Sequence, residues 1–223
     1  GAHMLRPGPD DTPNDPTWTG AGVLIPWQLY KTYGNIAKLR EAYGSMTAYM
    51  DYLAALVEKN EPYILESEDV NRDLGDWYAE EPTTVTFVIS CTYFQLCDVM
   101  GQIASLTGHS SDARKYKALA GNVKDAVNKE FFHPDSLSYD TGSQTANGLP
   151  LCLGMAPAEY EEGILESLVA SIKARGYHLS SGEVGLKYVL QVLSDRGYAD
   201  VAYRMVTNRT MPSYYYLASI GKT

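Results

Sequence analysis

The sequence predicts an all-α domain of the α/α-toroid type, and three observations carry that expectation. Helical periodicity dominates from about residue 21 onward. Segments apolar on most faces alternate with segments apolar along one stripe only. The apolar segments start near residues 21, 84, 144 and 184, a spacing too irregular for a repeat solenoid, which keeps one period. Buried, one-sided, buried, one-sided is the pattern of two helix layers. Inner helices are wrapped by protein, and outer ones face water on one side.

The elements follow in order. Gly1–Met4 reads as an expression scar, so the natural start and any leader before it stay open. Residues 5–17, rich in proline and aspartate, form an irregular lead-in to a toroid running over 18–223. Residues 21–33 (Val23, Leu24, Ile25, Trp27, Leu29, Tyr30) predict the first buried helix, stopped by Gly34. Asn35 caps a one-sided partner over 36–59, with Ile36, Leu39, Tyr43, Met46, Met50, Leu53 and Val57 as its stripe. Residues 84–107 repeat the apolar pattern and end at Gly108. Ser110 or Ser111 then caps a partner with stripe Ala113, Tyr116, Ala120, Val123 and Val127. The third pair spans 144–153, with Pro150 expected to bend it, and 157–175, ending at Gly176. The fourth spans 184–195 and 198–207, broken at Gly197.

At 223 residues a chain can bury about 70% of its unfolded surface, so folding requires neither metal nor disulfide. A net charge of -9 excludes nucleic acid and anionic membrane surfaces as partners, since both need clustered Lys and Arg. No apolar run was expected to reach the roughly 20 residues that cross a bilayer. Cys91, Cys97 and Cys152 are too few and too poorly spaced for a disulfide framework or a metal site, and His109, His133 and His178 are too scattered for one. No cofactor is implied. The 18 tyrosines against 4 Phe and 3 Trp suit surfaces that meet polyhydroxylated ligands, although packing between helices is the plainer use for any one of them.

In a toroid the loops entering the inner helices gather at one end. Three such loops hold candidates. Trp18, just before the first inner helix, is a platform for the C–H face of a sugar ring, or else a cover over the helix end. The acidic loop 60–82 closes on Leu74-Gly75-Asp76-Trp77-Tyr78, where a carboxylate beside aromatic faces matches a pyranose with neighbouring hydroxyls. The bland alternative is a solvated acidic loop anchored by Trp77. His178, in the loop 176–183, could donate to a sugar hydroxyl, though a lone histidine is more often structural. Gln144 and Thr145 are weaker candidates. No nucleophile motif, phosphate loop or H-E-x-x-H occurs. Acids and aromatics around a mouth point to carbohydrate. Glycoside hydrolysis uses a carboxyl pair, and spacing in the sequence cannot choose which two.

The ordered set Asp15-Pro-Thr-Trp18, Ile25-Pro-Trp-Gln-Leu-Tyr-Lys-Thr-Tyr-Gly34, Gly75-Asp76-Trp77, Ser143-Gln-Thr-Ala146, His178-Leu-Ser-Ser-Gly182, Leu193-Ser-Asp-Arg-Gly-Tyr-Ala-Asp-Val-Ala-Tyr203 and Pro212-Ser-Tyr214 resembles the catalytic domain of α-L-rhamnosidases, glycoside hydrolase family 78. The resemblance implies an (α/α)6 toroid, of which about four hairpins are visible. It implies inverting removal of terminal α-L-rhamnose from rhamnose-containing glycosides, with water and no cofactor. Trp18, Asp76, Trp77 and His178 then correspond to positions lining the rhamnose pocket. The family's acid segment, like D-x-P-x-R-x-E-R-x-G-W-x-G-D, finds no match before Trp18. Its base segment, like G-A-T-T-x-W-E, would begin at Gly221-Lys-Thr223. The resemblance therefore puts acid and base outside this chain and makes the chain inactive alone. Where the family often has W-G-D-A, this chain has Trp18-Thr-Gly-Ala21. Inner helices without neighbours would favour a homodimer that covers them. A secreted or periplasmic location is favoured over the cytoplasm. The rival readings are a non-catalytic helical module binding sugar or protein, and another toroid glycosidase or lyase.

Overall fold

The computed structural model describes residues 14–57, 63–70 and 74–222. The expression scar, most of the lead-in, the end of the 36–59 helix and part of the acidic loop, with Glu61, Arg72 and Asp73, lie outside them. The chain forms two compact units. One comprises residues 1–75 and 85–130, the other 76–84 and 131–223.

The first unit holds α1 (Pro16–Thr19), α2 (Ala21–Tyr33), α3 (Ile36–Val57), one 3-10 turn (Ser67–Asp69), α4 (Val85–Thr107) and α5 (Ser110–Phe131). Its core helix is α4, against which α1, α2 and α3 pack. At Gly101 the α5 backbone comes near α4, and a β-carbon there would lie in ordinary contact with Lys117 N at 3.5 Å. The expected ends hold where turn chemistry dictates them. Gly34 and Gly108 take left-handed φ of 71° and 92°, which costs glycine little. Asn35 Oδ1 accepts from Ala37 N at 3.0 Å. The α3 and α5 stripes are buried as the periodicity predicts except at their first positions, Ile36 and Ala113, which are half-buried; Arg114, Lys115, Lys117 and Lys129 lie in water and Lys124 is half-buried.

The second unit holds a short hairpin, β1 (Phe132–His133) paired antiparallel with β2 (Ser138–Tyr139), then α6 (Gln144–Leu153), α7 (Glu161–Ala174), α8 (Leu186–Asp195), α9 (Ala199–Val206) and α10 (Tyr214–Ser219). Its core helix is α6, held between α7 and α8. Ser143 caps α6 by accepting from Ala146 N at 3.0 Å, and Gly154 ends it at φ 70°. Gly148 is obligatory, because a β-carbon would press into Val189 of α8.

Three expectations need correction. Only α4 and α6 are wrapped. Of α2 only Val23 is buried, with Ile25 58%, Leu29 45% and Tyr33 76% exposed, because within its unit α2 meets α1, α3 and α4 on one side. In α8 the buried set is Tyr188, Val189, Val192 and Leu193, a single face turned to α6 and α9. Second, α4 is by length and composition long and apolar enough to cross a membrane. Its polar residues are scattered too thinly to lower the average, and 78% of its most apolar window is buried, as in a core helix. Third, the segment at Trp18 is helical. Asp15 is the N-cap and Pro16 the first residue of α1, the position where a missing N–H costs nothing.

Candidate functional site

In the first unit the candidate is Trp18. Asp15, only 1% exposed, aims it. Its Oδ1 accepts from Thr17 N at 2.9 Å and Thr17 Oγ1 at 2.6 Å, and its Oδ2 accepts from Leu74 N at 2.9 Å. One buried carboxylate thus starts α1 and pins the far end of the acidic loop. Thr19 closes the turn, its hydroxyl 2.5 Å from the Tyr49 hydroxyl and donating to the Asp15 carbonyl at 2.9 Å. Burial pushes the Tyr49 phenol well above its ordinary range. Gly20 is needed because a β-carbon would meet Pro16 O and Leu96 of α4. The Trp18 indole is left 41% exposed on this rigid turn. The loop itself is anchored rather than solvated, with Ile64, Leu65 and Val70 buried.

In the second unit Asp76, Trp77 and His178 belong to one network of hydrogen bonds. Asp76 is 7% exposed, and its carboxylate accepts three hydrogen bonds. Oδ2 accepts from Gly182 N at 2.8 Å and from the Thr145 hydroxyl, and Oδ1 accepts from Gly185 N at 2.8 Å. Instead of gripping two sugar hydroxyls, Asp76 clamps the loop 180–185. Two glycines make the clamp possible. A β-carbon on Gly182 would press into the Asp76 and Trp77 backbone, and one on Gly185 into the Thr145 side chain. Glu183 N completes the corner by donating to Trp77 O at 2.9 Å.

The Trp77 indole is 39% exposed, and its ring centroid is 4.5 Å from that of Tyr78. Tyr78 holds φ 61°, a conformation that residues with a β-carbon adopt only when the surroundings enforce it. Hydrogen bonds around Ser180 supply those surroundings. Glu80 N and Glu81 N both donate to Ser180 O, at 2.9 and 3.2 Å, and the Ser180 hydroxyl donates to Glu81 Oε2 at 2.5 Å. Arg175 pairs with Glu81 Oε1 at 2.9 Å.

His178 has both ring nitrogens engaged. Nδ1 donates to Arg175 O at 2.7 Å, and Nε2 lies 2.8 Å from Thr210 Oγ1. It staples its loop to the segment before α10 rather than presenting a free nitrogen. Gln144, which sequence ranked lower, is the fully buried bracket of the same loop. Its amide donates to His178 O at 3.0 Å and accepts from Ser180 N at 3.2 Å. A buried polar pair at the start of an inner helix was the available signal. The bracket roles of Asp15 toward Leu74 and of Gln144 toward His178 and Ser180 were not visible, because those partners lie tens of residues away. Among the described residues, no three His, Cys, Asp or Glu side chains are placed to hold a metal ion.

The model of the bacterial alpha-L-rhamnosidase six-hairpin glycosidase domain matches residues 3–223. Alpha-L-rhamnosidases from Streptomyces avermitilis and Formosa agariphila are 34% and 30% identical over 208 and 221 residues, each match covering 92% of this chain. The crystal structure of the Streptomyces avermitilis alpha-L-rhamnosidase complexed with L-rhamnose aligns with a TM-score of 0.83 at 29% identity over 92% of the chain. That of the Dictyoglomus thermophilum enzyme aligns with 0.83 at 30% over 93%. The chain spans 19% and 22% of the two curated relatives' length. The fold class is therefore the α/α toroid of these enzymes, and the chain belongs to the bacterial alpha-L-rhamnosidase six-hairpin glycosidase domain family.

Proposed function

We propose that this chain supplies a rhamnose-binding portion of an inverting α-L-rhamnosidase, with Trp77 as a ring platform in the second unit and Trp18 as an aromatic face for sugar in the first. The observation that carries the reading is the Trp77 corner. A half-exposed indole is held by a buried carboxylate that accepts three hydrogen bonds, on a backbone with glycine where nothing else fits. Rigidity of that kind, around an aromatic face left open to solvent, is what a binding site needs and a mere loop does not. Asp76 and His178 serve the pocket by fixing the loops that border it. In the inverting reaction one carboxylic acid protonates the leaving oxygen while a carboxylate about 6.5–9.5 Å away activates water on the opposite face of the sugar. The 223 residues contain no match to either family segment that carries those groups, so the chain alone binds without turnover. The substrate class is a glycoside with terminal α-L-rhamnose.

Titration calorimetry with L-rhamnose and incubation with 4-nitrophenyl α-L-rhamnoside test both halves. Saturable binding near the millimolar range without nitrophenol release is expected. No saturable binding sinks the site. Turnover at ordinary enzyme rates sinks the assignment of acid and base to residues outside the 223.

We further propose that the open apolar face of α2 makes the chain dimerise. The relevant observation is the exposure of Ile25, Leu29 and Tyr33 along one side of a single helix.

A further inference from the structure

Within the first unit, a groove of about 620 Å³ runs between α2, α4 and α5, a size ordinary for small-molecule sites, and Trp18 is not part of its lining. Gly101 and Ala113 leave the space, because neither carries a side chain beyond a β-carbon where α4 and α5 approach one another. Half-buried Trp27 and exposed Leu106 supply the larger apolar surfaces.

The charge of the lining is opposite to that of the chain. Arg114 and Lys117, three apart and so on one face of α5, both line the groove, and neither forms an ion pair among the described residues. Lys115, between them, is already paired with Asp51 of α3 at 3.0 Å. Lys31 places a third cation 5.9 Å from the centre of the Trp27 ring. Asp98 is the one carboxylate among the described lining residues, and Gln102 Nε2 donates to it at 2.7 Å. Cations therefore outnumber carboxylates here, on a chain whose net charge is -9.

A guanidinium and an ammonium side by side offer the charge-assisted donors that a carboxylate accepts. Two such groups match a monoanion and are too few for a phosphate polymer. Partners for ligand hydroxyls are sparse, namely Ser105 and the Gln102 amide, so a polyhydroxylated ring is disfavoured. An aromatic ring needs no such partners and suits an indole with a leucine beside it.

We infer that this groove binds an aromatic monocarboxylate, its ring against Trp27 and Leu106 and its carboxylate on Arg114 and Lys117. The site does not depend on the rhamnose reading of Trp18 and Trp77.

The test follows the Trp27 indole N–H resonance of the 223-residue chain during titration with cinnamate, cinnamamide and acetate. Cinnamate should shift it saturably, with a Kd near about 1 mM, and leave Trp18 and Trp77 in place. Cinnamamide keeps the ring and loses the charge, whereas acetate keeps the charge and loses the ring. Each should bind at least about fivefold more weakly than cinnamate. Joint substitution Arg114→Gln and Lys117→Gln should weaken cinnamate at least about fivefold and leave cinnamamide within about twofold. Both side chains are exposed, so the double variant should unfold at the parent's temperature. Equal affinity for cinnamate and cinnamamide in the parent chain would overturn the inference, as would no saturable shift at Trp27. A double variant that binds cinnamate like the parent would also overturn it, and so would shifts at Trp18 or Trp77 in place of Trp27.

Discussion

The carboxylate of Asp76 accepts a hydrogen bond at 2.8 Å from the backbone N–H of Gly185, 109 residues further along the chain. Gly182 N and the Thr145 hydroxyl complete its shell. A buried charge with three donors is stable only while all of them stay in place, so the segments 76–78, 145 and 180–185 form one mechanical unit.

Removing the charge should therefore cost far more than an average surface change. Asp76→Ala is expected to destabilise the second unit by about 3–5 kcal/mol, because two backbone donors and a hydroxyl lose their acceptor in a buried place. Urea unfolding followed by circular dichroism checks this. A loss below about 1 kcal/mol would mean that the network is not structural.

The same junction should reject a methyl group. Gly185→Ala drives a β-carbon into Thr145, and Gly182→Ala drives one into backbone that cannot give way. Each should cost at least about 2 kcal/mol, whereas Gly121→Ala in α5, where nothing lies within 4 Å, should stabilise by about 0.5–1 kcal/mol. Thermal unfolding of the three variants side by side decides it.

Tyrosine ionisation should fall into two classes. Burial pushes the phenols of Tyr43, Tyr49 and Tyr116 well above their ordinary range, with the Asp112 carboxylate adding to the effect at Tyr43. The native state then holds more protons than the unfolded one above about pH 10, so stability is full below that pH and falls as pH rises through it. An absorbance titration at alkaline pH should show a late class that merges with the first on unfolding. One uniform class in the folded protein would contradict the packing.

Thiol reactivity should be slow. Cys91 and Cys97 are buried, and burial with the nearby Asp195 charge pushes the half-buried Cys152 thiol up to about 11. At pH 8 a thiol reagent should label the native chain far more slowly than the unfolded one, and Cys152 first. Rapid labelling of all three thiols in the native chain would show that the core helices open.

How much of this was readable in the sequence varies by element. The α2, α3 and α6 boundaries follow from Gly34, Asn35, Ser143 and Gly154, residues whose local chemistry acts wherever the chain goes. The stripes of α3 and α5 follow from periodicity alone. The hairpin at 132–139 and the short α10 were missed, since two paired residues or six helical ones carry no period. The open faces of α2 and α8 depend on what each helix meets, which hydrophobicity does not encode. The tasks of Asp76 and His178 were not legible, because Thr145, Gly182, Gly185 and Thr210 reach them only after folding.

The most direct measurement follows the indole N–H resonances of the three tryptophans during an L-rhamnose titration. The account predicts saturable shifts at Trp77 and Trp18 with Trp27, which lines a separate cavity beside α4 and α5, left in place. Shifts confined to Trp27, or none at any indole, would contradict it.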